Sequence, residues 1–218
     1  ESHFRYPIEE RFERAAKERL TRLIHPFILR RTKEQVLTEL PAKFEDIRRC
    51  SLSQDQLRFY RDVVENRGSE LIQTLRDSTK KIPYMHIFAV LNYLKQICNH
   101  PALLEGDTHG YARYQSGKWD LFVELLEESL GSGQKVVVFS QYVKMLELIE
   151  SFLNDRGIRF ATIKGHTRKR AEAVKRFNTD PRCMVFTASL RASGLGIDLT
   201  AASVVIHYDR WWNSAREE

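Results

Sequence analysis

The 218 residues include only three cysteines, Cys50, Cys98 and Cys183. An odd, widely scattered set excludes a disulfide framework and suits a reducing compartment, so all three are read as free thiols. Cys98 and His100 stand two residues apart, but without a second Cys/His pair nearby they are too few to hold zinc, and no metal is expected. Long apolar runs are missing as well. No stretch approaches the roughly 20 apolar residues of a membrane span. The opening residues, Glu1-Ser2-His3-Phe4-Arg5, lack the basic-then-apolar layout of a secretion signal. A soluble, intracellular protein is expected. Internal repeats and low-complexity segments are also absent.

What is present is enough apolar material, 42% of the residues, to bury a real core as one domain with an appendage or as two modest domains. Thirty-five Lys and Arg against 29 Asp and Glu leave a net charge of +6, which favours polyanionic partners without specifying one. The charge is clustered, in Arg30-Arg31-Thr32-Lys33 and in Arg168-Lys169-Arg170.

The two halves of the chain differ in rhythm. Ile8, Phe12, Ala15, Ala16, Leu20, Leu23 and Ile24 recur at three-to-four spacing and predict one amphipathic helix from Ile8 to Ile24, with Pro7 at its start. Ser51 or Ser53 can cap a second helix through Leu57, Tyr60, Val63 and Val64. Beyond Pro83, the stripe Ile87, Val90, Leu91, Leu94 and Ile97 predicts another, closed by Asn99-His100-Pro101. Residues 105–115 read as a loop or linker. After Ser116, β-branched runs alternate with helical patterns, which predicts an α/β fold with a parallel sheet and crossover helices. The expected strands are Lys135–Phe139, Ile158–Ile163, Cys183–Phe186 and Val204–Tyr208, with helices over Lys118–Leu130, Val143–Asp155 and Arg168–Phe177. In such a sheet, ligands sit at the carboxyl ends of the strands, where loops enter helix N-termini. Those loops are Ser140-Gln141-Tyr142, Gly165-His166-Thr167, Thr187–Thr200 and Asp209–Asn213.

The loop Thr187–Thr200 gathers glycines, hydroxyls, an Arg and an Asp, donors suited to phosphate, although a tight turn without ligand would use the same glycines. Taken together, several blocks carry a family resemblance. They are Phe27-Ile-Leu-Arg-Arg-Thr-Lys33 with Leu40-Pro41-Ala42-Lys43, Lys95-Gln-Ile-Cys-Asn-His-Pro101, Ser116-Gly-Lys118, Lys135-Val-Val-Val-Phe-Ser-Gln141, Arg191-Ala-Ser-Gly-Leu-Gly-Ile-Asp-Leu-Thr-Ala-Ala202 and Asp209-Arg-Trp-Trp-Asn213. In this order the chain resembles the SWI/SNF-family DNA-translocating ATPases of helicase superfamily two, over nearly its whole length.

The resemblance implies a RecA-like second lobe at 116–218, preceded at 1–115 by an interlobe linker and helical protrusion. It implies ATP and Mg2+ as cofactors of the full-length enzyme, none bound to this chain alone, and double-stranded DNA and an N-terminal RecA-like lobe as partners. No G-x-x-x-x-G-K-[ST] occurs, since Trp119 follows Gly117-Lys118, and there is no D-E-x-H box. The chain also ends at Glu217-Glu218, before the family's final arginine motif, so alone it is expected to be inactive.

By the same resemblance Ser140, Gln141, Gly165, Thr167, Ser189 and Arg191 grip DNA, Trp212 wedges against the minor groove, and Trp211 packs. Gly196 and Asp198 approach the sugar of ATP, while Arg30, Arg31 and Lys33 couple the lobes. His166 and Ser193 depart from the family pattern, as does Asp198 in place of a frequent Asn. Lys118 is expected near DNA, and the helix from Ile8 is expected to pack on the first lobe. The short protrusion points to a prokaryotic cytoplasm or nucleoid ahead of a nucleus. The alternatives are a lobe of an RNA helicase or a non-motor α/β nucleic-acid-binding protein.

Overall fold

The computed structural model describes residues 3–28, 44–69, 84–165, 167–193 and 196–210, with only the backbone of Arg191 and Ser193. Arg30, Arg31, Lys33, His166, Trp211 and Trp212 lie outside the described residues. The chain forms two compact units, 1–48 and 49–218.

In the first unit the expected single helix is two, α1 (Arg5–Glu9) and α2 (Arg14–Ile24). The break falls where Phe12 takes a left-handed φ of 52°. Neither helix buries a residue. Without a face pressed on a core, the apolar period alone does not enforce one continuous helix.

The second unit begins with α3 (Gln54–Val63), whose cap is Ser53. Its hydroxyl accepts from the Gln56 N–H, while the Gln56 side chain accepts from the Ser53 N–H, a reciprocal capping box. A π-helical turn, Val64–Gly68, extends it. Next come α4 (Tyr84–Asn99), the short α5 (Ala102–Glu105) and α6 (Gly117–Gly131). The fully buried Gln56 ties these helices together. Its amide donates to the carbonyls of Ile97 and Cys98, and its oxygen also accepts from the Gly117 N–H. Gly117 is needed at that junction because a methyl group would overlap the Ser51 carbonyl oxygen.

The sheet follows as β1 (Val136–Ser140), α7 (Val143–Asp155), β2 (Arg159–Ile163), α8 (Arg170–Thr179), β3 (Cys183–Ser189), the single turn α9 (Leu190–Ser193) and β4 (Val204–His207). All pairings are parallel, in the order β2-β3-β1-β4. Both faces are covered. Val136, Val138 and Val185 pack with Phe122 and Leu126 of α6 and Leu148 and Phe152 of α7, whereas Val137, Phe186 and Ala188 pack with Phe177 of α8. Burial on two faces explains why β1 reads as an unbroken Val-Val-Val-Phe run. This is the predicted α/β sheet of RecA-like type.

The segment read as a loop at 105–115 is pinned by its tyrosines. Tyr111 stacks on Trp119, with ring centroids 5.5 Å apart, and its hydroxyl donates to Asp155; the Tyr114 hydroxyl donates to Glu105. All three thiols are free: Cys183 is buried, Cys98 half-buried and Cys50 exposed.

His100, fully buried, accepts from the Ala102 N–H at Nδ1 and meets the Tyr111 carbonyl at Nε2, 3.2 Å away, so Nε2 carries the proton of a neutral ring. Burial pushes its pKa from 6.5 to about 4. The unfolded chain takes up this proton below pH 6.5 and the folded chain resists it, so stability is intact above that value and is lost as pH falls toward 4. Between pH 7 and 5, wild type is expected to lose about 2 kcal/mol more than His100→Asn, which keeps an acceptor but does not titrate. Denaturant titrations at the two pH values check this, and parallel losses in both proteins would contradict it.

Candidate nucleic-acid interface

The strand register brings the carboxyl ends of the sheet level. Ser140 pairs with Ser189, Ile163 with Ala188 and Phe139 with His207. The loops after β1, β2, β3 and β4 therefore leave from one rim. Among the described residues, Gln141, Gly165, Thr167, the backbone of Arg191 and Arg210 all lie on or directly beyond that edge.

Each loop is braced from below. After β2, the Thr167 hydroxyl accepts from the Lys164 N–H, and the Thr167 N–H donates to the Lys164 carbonyl. A hydroxyl that accepts in this way keeps a proton to donate. Exposed Gly165 and half-buried Thr167 also offer carbonyls to the Arg170 guanidinium, which folds back onto the loop. Arg168 and Lys169 are exposed, Lys169 in a surface pair with Glu172. Beneath the loop, buried Lys164 donates to Glu150 at 2.7 Å, and the same carboxylate accepts from Thr162 and Thr187.

The β1 and β4 ends meet on Asp209, which is 4% exposed. One of its oxygens accepts from the Ser140 hydroxyl at 2.5 Å and from the Asn99 amide at 3.3 Å, and the other accepts from the Gln141 N–H at 2.9 Å. Burial pushes the Asp209 carboxyl above the ordinary carboxylate range, opposed by the Ser140 and Gln141 hydrogen bonds and by Lys118 and Lys95. Lys118 shows the converse: burial pushes it down and Asp209 raises it. Its ammonium donates to Asn99 Oδ1 at 2.8 Å and lies over the Tyr208 ring.

This geometry corrects three expectations. The Ser140 hydroxyl is fully buried and engaged by Asp209, and Ser189 is 3% exposed, so both side chains sit beneath the rim instead of reaching out to DNA. Lys118 is half-buried and turned inward to the Asn99–Asp209 network, not out to DNA. Asp209 and Asn99 stand within the motif blocks, but local sequence gives neither a role. A buried carboxylate and the donors that hold it are long-range facts, and only the run Asp209-Arg210 beside a strand end hinted at them.

In the loop after β3, Gly196 takes a φ of +58° with open space where a Cβ would stand. Asp198 is exposed. Asn178 of α8 holds this loop by donating to the Asp198 carbonyl and accepting from the Ala201 N–H. An open backbone beside a free carboxylate fits the hydroxyls of a sugar. Among the described residues no group of three His, Cys, Asp or Glu side chains is placed to hold a metal ion, and no helix is long and apolar enough to cross a membrane.

Comparison with known proteins gives a consistent picture. Residues 117–218 match the model of the helicase conserved C-terminal domain, and residues 1–103 match that of the SNF2-related domain. The transcription regulatory protein SNF2 of Saccharomyces cerevisiae is 31% identical over 207 residues, covering 89% of this chain and 12% of that protein. The Sulfolobus solfataricus SWI2/SNF2 ATPase core in complex with dsDNA superposes with a TM-score of 0.69 at 34% identity, over 99% of this chain and 46% of that one. The C-terminal domain of the Sulfolobus SWI2/SNF2 ATPase gives 0.64 at 33% identity, over 76% and 72%. The chain spans between 12% and 28% of the length of the curated relatives it matches.

Asp209→Ala would strand three donors and leave the Lys118 ammonium without its counter-charge. It is expected to cost about 3 kcal/mol in denaturant unfolding. Asp62→Ala, on the exposed side of α3, is expected to stay within about 0.5 kcal/mol of wild type. A loss below about 1 kcal/mol for Asp209→Ala would contradict this account of the network.

Proposed function

The chain belongs to the SWI2/SNF2 ATPase family, and we propose that it is the second RecA-like lobe of an ATP-dependent motor that moves along double-stranded DNA, supplying the DNA-gripping rim and one wall of the ATP cleft. The level carboxyl edge of the sheet carries this reading. It gathers onto one surface a side-chain amide, a hydroxyl, exposed loop backbone and basic residues, which is the chemistry that positions a protein on phosphates. The match over almost the whole chain to a relative solved with dsDNA supports the same partner. That similarity, to SWI2/SNF2 proteins by name, also favours a duplex motor over an RNA helicase lobe or a non-motor protein.

In this reading Gln141, Gly165 and Thr167 meet the backbone of the tracked strand, and Arg191 and Trp212 lie against the minor groove. Ser140 and Ser189 support them from below. A contact set that is mostly backbone-directed tolerates any sequence, as a translocating motor requires. Gly196 and Asp198 face the sugar of ATP, whose hydrolysis, with Mg2+, supplies the driving free energy. The phosphates and the metal are held by an N-terminal RecA-like lobe of the same protein, and Arg30, Arg31 and Lys33 couple the two lobes. The segment 1–115 serves as linker and protrusion and 116–218 as the motor lobe proper. A prokaryotic cytoplasm or nucleoid is the proposed location.

The test is ATP turnover by the two-lobe enzyme with duplex DNA, single-stranded DNA and RNA side by side. Duplex is expected to stimulate most, with affinity falling steeply as salt rises. Arg191→Ala or Trp212→Ala is expected to raise the half-saturating duplex concentration about tenfold while leaving nucleotide binding unchanged. Stimulation by RNA with indifference to duplex would overturn the proposal, and equal loss of DNA and nucleotide binding would remove those two residues from the DNA surface.

A further inference from the structure

Helix α4 runs behind the rim, and three of its polar side chains point to it. Asn92, Lys95 and Asn99 are spaced i, i+3, i+7 and so share one helix face. Each holds a different rim residue. The Tyr142 hydroxyl donates to Asn92 Oδ1 at 2.9 Å, Lys95 Nζ donates to the Arg210 carbonyl at 3.0 Å, and Asn99 Nδ2 donates to Asp209. Tyr142 and Asp209 lie in the loop after β1 and beyond β4 respectively, so the stripe spans both.

Asn99 is the junction. Its side chain stands between the Lys118 ammonium and the Asp209 carboxylate, accepting from one and donating to the other, and its carbonyl accepts from the Ser116 and Tyr208 hydroxyls. Gln56 ties the same end of α4 to α3 and α6. At the buried Asn99 a core that needed only to be filled would place an apolar group, whereas Asn92 is exposed and Lys95 half-buried. A polar stripe that meets three rim residues with directional bonds fixes where those residues stand.

We propose that the Asn92-Lys95-Asn99 stripe of α4 is a positioning device for the DNA-facing rim, with Asn99 setting Gln141 through Asp209, so that the helical segment controls how tightly the lobe grips duplex. The proposal rests on the reading of the rim as the DNA surface. It makes Asn99 a positioning residue with no contact to DNA or nucleotide of its own. A shift of α4 by a fraction of a helical turn would move the loop after β1 and the segment after β4 together, because both hang on the same helix face.

A polarity swap in the two-lobe enzyme tests it. Asn99→Asp sets a second carboxylate against Asp209 and removes its amide donor; Asp209→Asn puts an amide in front of the Asn99 amide. With both changes together the order is reversed but complementary, since the new carboxylate accepts from Lys118 and from the new amide, whose oxygen still accepts from the Gln141 N–H, while the Ser140 hydroxyl accepts from that amide and keeps the Tyr142 carbonyl as its acceptor. Each single variant is expected to raise the half-saturating duplex concentration about tenfold, with turnover at saturating duplex within about twofold of wild type and DNA-independent turnover unchanged for Asn99→Asp. The Gln141 amide is expected to exchange about tenfold faster. The double variant is expected to restore both readouts. If the single variants lose turnover and duplex affinity in proportion to melting temperature, with no rescue, the stripe is only structural and the proposal falls. Faster Gln141 exchange with unchanged half-saturation also overturns it. A wild-type enzyme that ignores duplex DNA sinks the reading of the rim instead, and the exchange data then still judge the stripe's hold on the loop.

Discussion

Asp209 is a carboxylate with almost no access to water, and an ionised group in that position is tolerable only if donors and a counter-charge surround it. The surrounding fold supplies them from three places in the sequence, and the carboxylate itself from a fourth. Asn99 comes from the end of α4, Lys118 from the start of α6, Ser140 and Gln141 from the end of β1, and Asp209 itself from the end of β4. Satisfying this one charge therefore sets the relative positions of the helical segment, the first crossover and the last described strand. The Lys164–Glu150 pair does comparable work under the loop after β2, where two threonines complete the carboxylate's partners.

These two polar centres explain how a surface made of loops can be stiff. Loops that bind a polyanion expose donors, and exposed donors are free to wander unless their backbones are held. The backbone N–H of Gln141 ends on Asp209, that of Lys164 ends on Thr167, and the carbonyls of Gly165 and Thr167 face Arg170. The apolar core contributes a different constraint. Valines on both faces of β1 lock it between α6 and α7 on one side and α8 on the other, which keeps the four strand ends level.

Much of the architecture was legible in the sequence because it rests on local signals. The helix Val143–Asp155 lies where its period places it, Ser53 caps α3, and the β-branched runs are the four strands. The misses share a cause, which is that tertiary partners outweighed local pattern. The stripe from Ile8 to Ile24 found no core in its own unit and broke at Phe12. Tyr111 and Tyr114 turned an apparent linker into part of the Trp119 cluster. Ser140 and Lys118 look like surface donors in a motif string, but a carboxylate 69 and 91 positions away in the chain draws the first directly, and the second through Asn99, into the interior. The expectation of a site at the carboxyl edge rests on the alternation of strands and helices of a parallel sheet; which side chains face outward there is not local, because it depends on where Asp209 is buried.

The claim at the centre of this account is that the duplex lies across the carboxyl rim of the sheet and nowhere else on this lobe. Amide hydrogen exchange of the two-lobe enzyme, with and without a duplex that it binds, tests that most directly. Protection confined to 140–142, 165–170, 189–193 and 209–213 is the predicted result, with no change at the opposite edge, 131–134, 156–158 and 180–182. Protection at that opposite edge, or none at the rim, would contradict it.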